Sequence, residues 1–175
     1  MRLATIFFLG FVAMIGPASA QVQPDDATNR LVHDTSEALF DLLPKQDFAA
    51  ERAFMTDELA AMANLTDWTR LRRQVIADAG STPRYTAHAV TFYRRTPLLA
   101  AVDFWGKAAK ADTFVCGFAI WEIPSPGVIG LGRIEQNVVP VAVMRKMDLQ
   151  QAAQVLADWR CPKDLIGSVL GVKVQ

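Results

Sequence analysis

Histidine and cysteine are scarce in this chain, with two of each in 175 residues. That scarcity leaves no Cys/His spacing for a zinc site and no C-x-x-C pair for redox work. A glycine-rich phosphate loop and a nucleophile elbow are missing as well. Gly127, Gly130 and Gly132 make no dinucleotide fingerprint, because no capped helix follows them. The sequence therefore calls for no metal and no cofactor. An excess of charge of either sign is also lacking: 18 basic side chains face 18 acidic ones. Such a balance gives no field for steering nucleic acid or an anionic membrane. The basic clusters Arg70, Arg72, Arg73 and Arg94, Arg95 read as a solvated face or as ion-pair partners. Beyond the first twenty residues no apolar run approaches the roughly 20 residues of a membrane-spanning helix.

What is present begins with a leader pattern. Arg2, an apolar run from Leu3 to Ile15, Gly16-Pro17 and then Ala18-Ser19-Ala20 have the layout of a secretory signal peptide, residues 1–20, cleaved before Gln21. This predicts a periplasmic or secreted protein. Cleavage would leave 155 residues, enough for one domain with a proper core, carrying 17 basic and 18 acidic groups. In an oxidising compartment Cys116 and Cys161 can join and close a loop of about 45 residues. Two buried thiols, or a metal or redox site, are the rival readings.

The stretch 112–124, DTFVCGFAIWEIP, is almost wholly apolar or aromatic. It predicts a central strand, with Phe114, Cys116, Phe118 and Ile120 on one face and Val115, Gly117, Ala119, Trp121 and Ile123 on the other. Both faces need cover. Upstream, Leu31, Ala38, Leu39 and Leu42 recur at helical spacing until Pro44. Asp47 can cap a second helix, broken at Thr56-Asp57, and Thr66 a third, whose stripe of Trp68, Leu71, Val75, Ile76 and Ala79 ends at Gly80. The period then changes to two. Strands are predicted at 85–93, with His88, Val90 and Phe92 on one side, at 98–105, and at 128–139, which Val141 to Met144 extend beyond Pro140. Asp148 opens a helix carrying Leu149, Ala152, Leu156 and Trp159, and a last helical turn or two covers 164–170. The expected class is α+β: N-terminal helices on a curved antiparallel sheet of about four strands, with a C-terminal helical tail.

The helical stretches DLLPKQDFAAERAFM and LTDWTRLRRQVIADAG, with the strands AAVDFWGKA and DTFVCGFAIWEI, resemble the nuclear-transport-factor-like (cystatin-like) superfamily, in particular its small exported bacterial members of unassigned function. The likeness spans roughly residues 27–139 and leaves out the tail from Leu149. It implies a cone between curved sheet and helices that often holds an open pocket, in which the superfamily's enzymes place an acid or a histidine. A disulfide-tethered tail could fill such a pocket.

Few residues here carry chemistry. His88 and Asp103 fall on adjacent predicted strands and could form a general acid/base pair in an apolar cavity, or could be an exposed imidazole and a strand-end carboxylate. Arg133, Glu135 and Asn137 alternate on the last strand, sharing a face with Ile129 and Leu131, as a solvated half-strand or as the polar rim of a groove. Trp105 and Trp121 could line a ligand site or belong to the core. The sequence predicts a non-catalytic periplasmic binding or accessory protein for a small apolar ligand or an envelope protein partner. The alternative is a small lyase, isomerase or hydrolase using the Asp103/His88 pair.

Overall fold

The computed structural model describes residues 21–108 and 112–171, so the predicted leader and the middle of the Lys-containing loop lie outside the described residues. Helix α1 spans Asp26–Leu42 and starts where the Asp25 carboxylate accepts from the Thr28 amide at 2.7 Å, satisfying one of the open N–H groups of the first turn. It buries Val32, Leu39 and Phe40. After a short 3-10 turn at Leu43–Lys45, α2 (Phe48–Arg52) and α3 (Asp57–Met62) are capped by Asp47 and Thr56, at the break expected between them. Helix α4, Leu65–Ala79, is capped by Asn64, not Thr66: the Asn64 side chain accepts from the Asp67 amide. The start thus lies two residues earlier than the sequence pattern indicated. Gly80 ends α4 at φ 75°, a left-handed position that costs a glycine little.

Four antiparallel strands follow in meander order: β1 (Arg84–Tyr93), β2 (Leu98–Lys107), β3 (Thr113–Ser125) and β4 (Val128–Pro140). The central position of β3 agrees with its apolar sequence. Gly117 is required there, since a Cβ at this site would collide with the Glu135 backbone carbonyl on β4. Beyond Pro140, residues Val141–Met144 form a helical turn, α5, and not the expected strand extension. Proline cannot donate to a ladder, and here the strand ends at it. Helices α6 (Leu149–Asp158) and α7 (Lys163–Leu170) complete the tail.

The sheet is covered on both faces. On the helix side, Leu39, Phe40 and Leu43 pack against Tyr85, Phe104, Trp121 and their neighbours. Tyr85 and Phe104 meet edge to face at 5.5 Å, a favoured aromatic geometry. On the other side Phe114, Cys116 and Val139 meet Val141, Met144, Leu156, Ile166 and Val169 of the tail. Cys116 and Cys161 are joined, with Cα atoms 5.2 Å apart, inside the span a disulfide allows. In the chain-entropy view this closure contributes about 3 to 4 kcal/mol.

Two bulges alter the predicted faces. Ala87 pairs with Phe104 and Ala89 with Asp103, so His88 is the extra residue of β1. It consequently leaves the side of Val90 and Phe92 and turns toward the tail, where its ring meets Arg160. On β4 the extra residue is Gly132, because Ile120 pairs with Arg133 and Trp121 with Leu131. Leu131 therefore packs in the helix-side core, apart from Arg133, Glu135 and Asn137.

Candidate functional site

The bulge at His88 and the end of the tail build the first constellation. Asp103, in mid β2 opposite Phe118, projects to the tail side of the sheet and is 9% exposed. Beside it, Arg160 stands immediately before the disulfide, with its backbone at φ 62°. Its guanidinium Nη1 lies 3.6 Å from Asp103 Oδ2. The Arg160 carbonyl oxygen lies 2.9 Å from His88 Nε2. A carbonyl can only accept, so that ring nitrogen carries the proton. Asp103 Oδ1 is buried and meets no hydrogen-bond partner among the described residues. Burial raises the Asp103 pKa above the ordinary carboxylate value, against the pull of Arg160 and then His88. The arrangement can hold a proton on a shielded carboxylate, while the His88 imidazole, tied to the same arginine, is exposed. Its setting is the seam between sheet and tail, not the expected apolar cavity.

A second constellation went unrecognised in the sequence. Glu51 of α2 and Arg72 of α4 form an ion pair at 3.0 Å with side chains 0% and 2% exposed. The same Glu51 oxygen accepts from Trp68 Nε1 at 2.8 Å. Arg72 also donates to Gln136 of β4, and the Gln136 amide donates to the Tyr85 hydroxyl on β1 at 2.9 Å. A polar chain thus runs from α2 through α4 to two strands. Glu51 Oε1 and Arg72 Nη2 meet no partner among the described residues. Burial pushes the Glu51 pKa up in spite of Arg72 and the indole N–H, as expected where desolvation outweighs attraction. Of the two readings of its cluster, Arg72 is therefore an ion-pair partner and not part of a solvated face. The available signal was its place four residues after Trp68, on the inward stripe of α4.

The four predicted ligand-binding residues do not share one site, because Trp121 lies on the opposite side of the sheet from the other three. Trp121 is fully buried on the helix side, at 6.3 Å from the Phe54 ring. Trp105 lies on the tail side, against Phe114. Arg133 and Glu135 pair with each other at 2.8 Å on the outer part of that face, and Asn137 donates to Glu135. Arg133 lies over the Phe118 ring at 5.3 Å. A shallow groove of ≈ 690 Å³ follows the outer face of α4 and is lined by Leu65, Thr66, Thr69, Arg70, Arg73, Gln74 and Ala77. Leu65 in its lining is 43% exposed, and Met62 of α3 is 69% exposed.

Fold and site together define an α+β domain whose antiparallel sheet is sandwiched between N-terminal helices and a disulfide-bonded tail. No known protein family, curated protein or solved structure matches the chain. Among the described residues there is no cluster of His, Cys, Asp or Glu fit to hold a metal, and no helix is long and apolar enough to cross a membrane.

Proposed function

We propose that this chain is an exported, non-catalytic accessory domain of the cell envelope, related to the nuclear-transport-factor-like superfamily, that binds a protein partner through its outer surface. The observation that carries this reading is the occupied space between helices and sheet. Leu39, Leu43, Phe104 and Trp121 are wholly buried there, alongside the Glu51–Arg72 pair. Close packing of that kind directs binding of an apolar guest away from the interior. Outside, Leu65 is exposed in the α4 groove with Arg70 and Arg73 on its wall, and Met62, three residues earlier in the chain, is exposed as well. Exposed apolar residues with a polar surround suit protein docking. The test is chromatography of tagged protein from envelope extract, before and after Met62→Glu/Leu65→Glu. A complex larger than the 19.3 kDa chain that the double variant loses, while staying folded, is expected. Elution of both as free protein, with a lipid-like molecule found bound by native mass spectrometry, overturns the assignment.

The second reading, a small lyase, isomerase or hydrolase, is favoured by one observation: His88 and Asp103 share a face and both neighbour Arg160. Under it, Asp103→Asn abolishes turnover and leaves partner binding unchanged.

A further inference from the structure

The tail packs on the sheet as a cluster of its own. Its apolar contacts with Phe114, Cys116 and Val139 share no buried residue with the helix-side core. Units joined in this way can open separately from the rest of a domain. Over Asp103, one residue of that tail does three things. Arg160 brings its guanidinium to the Asp103 carboxylate, and its carbonyl accepts from His88. It also leads directly into the disulfide through Cys161. Its backbone stands at φ 62°, a region that residues with a Cβ avoid. A residue stays there only where its surroundings impose it. The ties on either side, to β1 and β2 through polar contacts and to β3 through sulfur, impose it here.

We propose that the segment ending in Arg160 and Cys161 is a cap, fastened by the disulfide, over the Asp103 carboxylate, and that reduction of the disulfide frees the tail and opens Asp103 to solvent on the face where His88 is already exposed. The reductant is a dithiol. One of its thiolates attacks a protein Sγ and forms a mixed disulfide, while the other protein sulfur leaves and takes up a proton. The second thiol then closes the reductant's own disulfide and frees the remaining cysteine, so two electrons and two protons pass to the protein. Cys116 is fully buried and Cys161 is 7% exposed, so attack falls on Cys161 as the turn between α6 and α7 lifts. The charged and titratable groups facing Asp103 are His88 from β1 and Arg160 from the tail, with Glu135 on β4 one strand beyond Phe118. When the tail leaves, Arg160 goes with it. His88 stays, because β1 holds it. The buried Asp103 Oδ1 then meets water, and His88 Nε2 loses the carbonyl that occupied it.

This inference concerns access to Asp103 and stands apart from partner binding at α4. Deuterium exchange and carboxyl labelling with a carbodiimide and an amine, each with and without a dithiol, test it. In the oxidised protein the tail amides should be protected and Asp103 unlabelled, while exposed Asp34 and Glu37 react. Reduction should speed exchange over 141–170 by on the order of a hundredfold and admit label to Asp103, with β2 and β3 still protected. Cys116→Ser/Cys161→Ser should reproduce the reduced pattern without reagent. Equal labelling of Asp103 in both states, a tail that stays protected after reduction, or loss of protection throughout the sheet each overturns the proposal. The readings on wild-type protein decide the matter if the double variant does not fold.

Discussion

Trp68 joins apolar packing to the buried polar chain in one side chain. Its ring is 5% exposed and its Nε1 donates to Glu51. Trp68→Ala should therefore remove core volume and a hydrogen bond together, lowering the unfolding free energy by about 3 to 5 kcal/mol. Trp68→Phe keeps most of the ring and deprives Glu51 of one donor, for a loss of about 1 to 3 kcal/mol. Urea unfolding separates the two; a loss below about 1 kcal/mol for Trp68→Ala would place α4 out of phase with its sequence stripe. Asp103 gives the pH dependence. Its pKa is raised in the folded state, chiefly by burial, so the folded chain holds that proton more tightly than the unfolded one. The stabilisation is fully present below the ordinary carboxylate value of about 3.9 and is lost as pH rises through the raised folded value. Asp103→Asn, neutral throughout, should gain stability relative to wild type as pH goes from about 4 to 7. Glu51 shifts in the same direction but is present in both proteins and cancels. A loss of stability by Asp103→Asn relative to wild type over this range would show that the Arg160 contact, not burial, governs Asp103.

At the scale of elements, what period and punctuation encode was legible and what bulges encode was not. Pro44, Asp47, Thr56 and Gly80 are local signals, and each marks a helix boundary in the fold. The alternation of β3 put Cys116 on the face that the tail covers, and the helix ending beside Cys161 meets it there. The register of β1 and β4 depends instead on single extra residues, His88 and Gly132. A one-residue slip turns every later side chain over, and nothing in a strand's own alternation announces it. For that reason the sequence set His88 with Phe92 and Leu131 with Arg133, whereas the bulges divide both pairs. Part of the candidate site was thus visible as residue types, His88 and Asp103, while their shared face was not. Arg160 escaped notice altogether, since it is brought to Asp103 by a contact across more than fifty positions of chain. The Glu51–Arg72 chain escaped for a related reason: charge beside charge on α4, in Arg70, Arg72 and Arg73, looks solvated until the helix phase assigns only Arg72 inward.

For the whole molecule, the two ends of the chain make one coupled prediction about where it works. The Cys116–Cys161 bond needs an oxidising compartment to form and persist. The leader pattern would take the chain to such a compartment and be removed before Gln21. At the outer edge of β1, Gln21 bridges Tyr93, and the Val22 amide donates to the Phe92 carbonyl at 3.1 Å. Protein recovered from the periplasm should give an N-terminal sequence starting at Gln21 and a mass two hydrogens below that of the dithiol form. The same gene expressed without residues 1–20, in the cytoplasm of a host that keeps thiols reduced, should yield two free thiols and a lower melting temperature, restored by oxidation. An N-terminus at Met1 in envelope-derived protein would remove the export reading. Free thiols in correctly processed protein would instead spare export and remove the fastening of the tail.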